Sequence, residues 1–203
     1  MKYIFDLKYS ELAPDVIKSL SELPRTGWVD RKVTNPETVQ EHIIAVRELV
    51  ISEIQNLDDF SPQEINETLD MLEVHDWPES DKKVGDIVIV TYDLEEKKRL
   101  KELKFKLELE AMTKICTPLG ERGRRIFDLW MRFEKKEDRI SIFANQVDKY
   151  QPFEKAFEYE ERGEKKVSTQ EFIDYSEKVI VYPALLRRLE NLKLKLANLK
   201  KSH

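Results

Sequence analysis

The sequence predicts an all-α fold, a helical bundle, and three observations lead there. Five glycines in 203 residues are fewer than a turn-rich β fold needs. Apolar residues recur at three- and four-residue spacing through several long stretches. Strand-like sequence is confined to one short run, so no doubly wound sheet can be assembled.

Each element follows in order. Residues 1–13 read as an irregular or weakly helical lead-in, and a short helix is expected after Pro14, because proline suits a first helical turn. Residues 23–35 break every period and read as an ordered loop. Asn35-Pro36 carries a helix-start signal, cap then proline. Val39, Ile43, Val46, Leu49, Val50 and Ile54 then share one face, which predicts an amphipathic helix over about 36–55. Ser61-Pro62 opens the next helix, with Ile65, Leu69, Leu72 and Val74 as its apolar side and Pro78 as its stop. Residues 80–92 read as a loop, although Val88–Tyr92 has strand propensity.

Residues 93–116 predict a long charged helix with Leu100, Leu103, Leu107, Ala111 and Ile115 inward, broken at Pro118-Leu-Gly120. Its acids and bases alternate at helical spacing, which reads as a solvated face rather than an RNA-binding one. Helices at about 121–135 and 137–161 follow, then a polar turn after Gly163 and a helical stretch from Thr169 that Pro183 kinks or restarts. Leu185, Leu189, Leu192, Leu196 and Leu199 alternate spacings of four and three. That is a short coiled-coil seam, which packs either on its own domain or in a dimer. The whole chain, 1–203, reads as a single domain able to bury a real core.

Composition excludes several classes. A net charge of −5 argues against a general binder of polymeric nucleic acid, which carries a basic excess. The single Cys116 rules out an internal disulfide framework and a cysteine-based zinc site, and it suits a reducing cytosol. No run approaches the 18 apolar residues of a membrane span, so no membrane partner is expected. Acidic residues interrupt the N-terminal stretch where a signal peptide needs an apolar core. A cytoplasmic location is the expectation.

Three histidines are present, and His203 is the last residue. His42 lies in the first long helix, and His75 ends the next and is followed at once by Asp76. A His-Asp pair at a helix terminus is often just an ending, with histidine favoured near the negative end of the dipole. Here the context is richer. His42 follows Pro36-Glu-Thr-Val-Gln-Glu41, and His75-Asp76 precedes Pro78-Glu79 and Gly85-Asp86. Gln146-Val-Asp148-Lys149 sits far downstream among apolar neighbours. An unpaired carboxylate there would be expensive, so Asp148 reads as a metal ligand or as half of a buried salt bridge.

The order of His, His-Asp and a distant Asp resembles the HD superfamily. Pro24-Arg-Thr-Gly-Trp28, Asn35-Pro-Glu-Thr-Val-Gln-Glu-His42, His75-Asp-Trp-Pro-Glu79, Gly85-Asp-Ile87, Val147-Asp-Lys149 and Phe157-Glu-Tyr159 resemble one branch of it, the 5′-deoxynucleotidase family. The resemblance covers roughly residues 20–160, with a C-terminal helical extension over about 168–200. It implies an HD-domain helical bundle, usually a homodimer, that removes the 5′-phosphate from deoxynucleoside monophosphates with one divalent metal ion per chain. It implies His42, His75, Asp76 and Asp148 as metal ligands, and Glu79 as the group handling the attacking water's proton. Trp28 would lie at the sugar's 2′ position and Asp86 would contact the nucleotide. Mixed nitrogen and oxygen ligands suit Mn, Co, Fe or Ni better than a structural zinc.

Two departures stand out. The segment between Glu79 and Gly85 is two residues longer than the family pattern, and Gly27 occupies the place of a phosphate-orienting arginine, leaving Arg25 for that task with Arg31 in reserve. Trp28 also reads as a plug on the core, Arg25 as a surface charge, and Asp86 as a cap for the segment after it. A triphosphohydrolase, a cyclic-nucleotide phosphodiesterase and a non-catalytic nucleotide-binding module are the alternative functions.

Overall fold

Leu20, Ile43, Leu72, Trp77, Trp130, Phe143 and Tyr150 are buried in one apolar cluster, and the helices are arranged around them. The computed structural model describes residues 7–89, 91–176 and 179–201. Among these, the helices are α1 (Pro14–Glu22), α2 (Thr26–Asp30), α3 (Val39–Glu53), α4 (Pro62–Val74), α5 (Leu94–Cys116), α6 (Gly120–Lys135), α7 (Arg139–Glu161), α8 (Thr169–Ser176) and α9 (Pro183–Leu199). The extended pairing among the described residues is one isolated bridge, Pro24 to Thr38. The fold is thus all-α, as expected. Helix α7 is its axis, packing against α3, α4, α6, α8 and α9.

Local chemistry explains most boundaries. Ser61 and Glu64 form a capping box at the start of α4, and Pro62 takes the first helical turn. Asp138 caps α7 in the same way, and Asp93 caps α5. Each such cap contributes about 1 kcal/mol. Pro183 restarts the chain as α9.

Several expectations need correction. The helix expected from Asn35-Pro36 begins at Val39. Thr38 and Glu41 satisfy two amide donors reciprocally in a capping box, while Asn35 adopts a left-handed backbone with φ 53°. The loop expected over 23–35 contains α2. Its ends are stapled by Arg25 N–H to Glu37 O (2.9 Å) and Val39 N–H to Leu23 O (2.9 Å), which folds the intervening residues onto the start of α3. Helix α4 stops at Val74, and Pro78 instead lies inside a 3-10 turn, Trp77–Ser80. No strand forms at Val88–Tyr92 among the described residues, and Val90 lies outside them.

Leu103, expected inward, is 47% exposed. Burial along α5 begins at Glu108 and continues through Ala111, Met112 and Cys116, so only the C-terminal half of this helix is covered. The corner between α5 and α6 is tight: a Cβ at Gly123 would lie 1.9 Å from the Cys116 carbonyl oxygen. Leu185, Leu189, Leu192 and Leu196 belong to the main core cluster, so that seam packs on its own chain.

The N-terminal segment is latched by one acid. The Glu73 carboxylate is fully buried and accepts from the Lys8, Tyr9 and Ser10 amides (2.8, 2.5 and 2.9 Å) and from Arg47 Nη1 (3.1 Å).

Candidate metal centre

His42 sits in the first turn of α3, directly after the capping box that fixes where the helix starts. His75 closes α4 with helical φ and ψ, and Asp76 leaves the helix at φ −100°, ψ 10°. This change of direction lets adjacent side chains face one point, which two neighbours inside a helix do not do. Asp148 comes from the middle of α7. Pro152, four residues on, lies inside the same helix and has no N–H to offer the Asp148 carbonyl.

Four atoms converge. His42 Nε2 is 3.0 Å from Asp148 Oδ1 and 3.8 Å from Asp76 Oδ2. His75 Nε2 is 3.2 Å from Asp76 Oδ2 and 3.5 Å from Asp148 Oδ1. Two donors bound to one ion at about 2.1 Å lie about 3.0–3.4 Å apart, for angles between a right angle and the tetrahedral one. His42, His75 and Asp76 form a group able to hold a metal ion, and Asp148 stands against both imidazoles.

The tautomers fit the same role. His75 Nδ1 bonds the Leu72 carbonyl (2.9 Å), and His42 Nδ1 bonds Gln151 Oε1 (2.9 Å). Each Nδ1 therefore carries a hydrogen, which leaves Nε2 as the lone-pair atom. His75 Nε2 is buried with no hydrogen-bond partner among the described residues, the situation a metal ion would resolve.

The electrostatics are those of a crowded acidic site. Burial works against ionisation of Asp148, but the His42 and His75 imidazoles standing against it hold its carboxyl well below the usual range. Asp76 behaves likewise beside His75 and Arg25. Burial lowers the His75 imidazole, and the carboxylates of Asp76 and Asp148 outweigh it and raise it. Glu79 is pushed well above the usual carboxylate range by burial and by Asp76, with Lys104 opposing.

Arg25 and Asp86 join this group. Arg25 Nη1 donates to Asp76 Oδ2 at 3.1 Å. Asp86 accepts from the Thr26 amide through its carboxylate, and its carbonyl accepts from Thr26 Oγ1 at 2.6 Å. It is therefore a cap, but for the start of α2 rather than for the residues after itself. Trp28 is not brought against the ligands. It is buried in a second cluster with Val33, Ala156, Tyr159 and Val167, and its Nε1 donates to Glu37 Oε1 at 2.9 Å.

Sequence reasoning missed three participants. Lys104 Nζ reaches Glu79 Oε1 (3.5 Å) and Glu108 Oε1 (3.4 Å), yet in sequence it looks like any charge on a solvated helix. Glu37 and Gln151 bond each other behind His42 (3.1 Å). Gln151 lies one turn after Asp148, which was the available signal.

The HD domain family model matches residues 17–185. A protein of Dictyostelium discoideum named 5′-deoxynucleotidase HDDC2 is 32% identical over 76% of this chain and 81% of its own length. The human protein of that name is 29% identical over 87% and 81%, and the 5′-deoxynucleotidase YGK1 of Saccharomyces cerevisiae is 28% identical over 78% and 70%. Among solved structures, a conserved hypothetical protein of Pyrococcus furiosus superposes with a TM-score of 0.66 at 22% identity, covering 88% of this chain and 95% of that one, a likeness of fold. With that fold, that ligand geometry and a family match over most of its length, the chain belongs to the HD domain family.

Proposed function

We propose that the chain is a metal-dependent phosphohydrolase that removes the 5′-phosphate from nucleoside monophosphates, deoxynucleotides above all. The observation that carries the reading is the convergence of two imidazole Nε2 atoms and the Asp76 carboxylate, with Asp148 standing against both imidazoles. The names of the relatives support the substrate class.

A divalent ion held by His42, His75, Asp76 and Asp148 would acidify water and screen the phosphoryl charge. The donor set suits Mn, Co, Fe or Ni. Glu79 takes the proton of the attacking water. Its Oε2 is buried without a hydrogen-bond partner among the described residues, while Lys104 anchors Oε1. Arg25, tied to Asp76 by one nitrogen, offers its other donors to the non-bridging phosphoryl oxygens. Asp86 holds the turn that carries Arg25 and contacts the nucleotide, and Trp28 restricts the 2′ position. The chain works as one unit, its C-terminal leucines sharing the main core. No helix among the described residues is long and apolar enough to cross a membrane. We further assign the protein to the cytoplasm and to a homodimer, for which the exposed Leu94 and Leu103 of α5 offer apolar surface.

The test is phosphate release by protein loaded with Mn, Co, Fe or Ni in turn. The panel holds deoxy- and ribonucleoside 5′-monophosphates, 3′-monophosphates, triphosphates and cyclic nucleotides. Turnover of 5′-monophosphates is the expected result. Preferential turnover of triphosphates or cyclic nucleotides would overturn the substrate class, and bound metal without turnover would overturn the enzymatic reading.

A further inference from the structure

We infer that Glu37 and Gln151 are positioning residues that fix which nitrogen of His42 carries the proton, and that Trp28 completes their relay. The inference rests on His42 being a metal ligand. Trp28 Nε1 donates to Glu37 Oε1 (2.9 Å), Gln151 Nε2 donates to Glu37 Oε2 (3.1 Å), and His42 Nδ1 meets Gln151 Oε1 (2.9 Å). All four residues are at most 5% exposed, so bulk water does not substitute for a missing partner. Lys155 Nζ stands 3.8 Å from Glu37 Oε2, and the Glu37 amide donates to the Tyr159 hydroxyl (2.8 Å).

The polarity of this chain has one solution. A carboxylate only accepts, and an indole only donates. Gln151 must therefore turn its NH₂ to Glu37 and its carbonyl to His42. The imidazole must then donate from Nδ1, so Nε2, facing Asp76 and Asp148, is the atom whose lone pair a metal ion takes. Glu37 sets the ligand atom of the metal site from two hydrogen bonds away.

The substitution Glu37→Gln keeps the shape of the side chain and removes this compulsion. The new amide has one accepting atom for two donors. If its carbonyl serves Trp28, its NH₂ faces Gln151. Gln151 then flips, and His42 becomes the Nε2–H tautomer, which donates to Asp148 and cannot ligate. If its carbonyl serves Gln151, His42 ligates but a buried indole N–H faces an NH₂. Metal binding forces the second arrangement, and metal-free protein takes the first. Glu37→Gln therefore weakens metal affinity by about tenfold to a hundredfold, the penalty for one unpaired buried donor. A phenylalanine ring in place of the indole has no N–H, so the penalty vanishes in Trp28→Phe/Glu37→Gln.

The experiment measures metal affinity by competition with a chelator for wild type, Glu37→Gln, Trp28→Phe and the double variant. Imidazole nitrogen NMR of each metal-free protein reads the His42 tautomer directly. The expected results are weakened binding in Glu37→Gln, near-wild-type affinity in Trp28→Phe, and recovery in the double variant. His42 should be protonated at Nδ1 in wild type and at Nε2 in Glu37→Gln. A fold damaged by Glu37→Gln would not regain affinity on losing a second buried group, so recovery separates polarity from structure. Wild-type affinity in Glu37→Gln, or a double variant as weak as Glu37→Gln, overturns the relay. Absence of metal uptake by wild type would overturn the metal centre instead, and the tautomers would still decide the relay.

Discussion

Glu79→Gln separates proton transfer from every other task at this site. The side chain is 5% exposed, with Oε2 unpartnered among the described residues and Oε1 3.5 Å from Lys104 Nζ. Glutamine fills the same space, and its carbonyl can keep facing Lys104. Its NH₂ then occupies the place of Oε2, putting a donor where the water's proton has to be accepted. Neither the four metal-facing atoms nor Arg25 changes partner, so metal affinity and KM should hold while kcat falls. Loss of a positioned general base amounts to about 10²–10⁴ in rate, or about 2.7–5.4 kcal/mol of barrier at about 1.36 kcal/mol per decade. Glu79→Asp provides a graded control: the carboxylate persists but is retracted, and a misplacement of about 1 Å costs about 10². The assay is phosphate release under saturating substrate, with metal content measured on the same samples. A Glu79→Gln protein that keeps metal and more than a tenth of wild-type kcat would refute the role.

Three further outcomes are expected, the first from the family resemblance and the other two from the structure. Trp28→Ala should narrow the gap in kcat/KM between dAMP and AMP by gaining on the ribonucleotide, because a buried unpaired 2′-hydroxyl costs about 1–3 kcal/mol, or about 5- to 150-fold; an unchanged ratio would remove the indole from the pocket. Burial, opposed by Lys104, raises the Glu108 carboxyl to about 7 from an ordinary value near 4.5. The folded state thus binds this proton more tightly than the unfolded one, and the associated stability is whole below about pH 4.5 and lost as pH rises toward 7. Relative to Glu108→Gln in chelator-treated protein, wild type should lose up to about 1.4 kcal/mol per pH unit across that window, and parallel profiles in urea melts would refute it. Glu73→Gln should cost about 1–3 kcal/mol, since it sets an NH₂ among the buried amides of residues 8–10; a loss under about 1 kcal/mol would show that the latch contributes little.

What was legible in the sequence depended on how local its cause was. Ser61 and Asp93 accept from nearby amides, and Pro62 and Pro183 suit a first helical turn, so the starts of α4, α5 and α9 have local causes. Asn35 and Thr38 are competing caps three residues apart, and Thr38 prevails because Glu41 returns its hydrogen bond. Leu103 shows a different limit: helical periodicity identifies an apolar face but not how far along the helix a partner covers it. At the site, His42, His75, Asp76 and Asp148 were legible as an ordered motif, and the structure brings their polar atoms together. Their supports were hidden because each depends on a distant pairing. Glu37 and Gln151 are 114 residues apart, and Lys104 meets Glu79 only because α5 returns across the turn after α4.

Gly123 acquires a different meaning once α5 is viewed as a lever. The fulcrum is the corner where α6 presses on the Cys116 carbonyl, and the load is Lys104, twelve residues and about 18 Å up the helix at about 1.5 Å per residue. The first half of that arm touches little that would brace it, as the exposure of Leu94 and Leu103 attests. A methyl group at position 123 has to open a 1.9 Å approach to at least the 3.4 Å of ordinary contact, and that thrust is delivered at the short end. Its damage would be felt at the far end, in the grip of Lys104 on Glu79, so a substitution remote from every ligand would register as a fault in proton transfer.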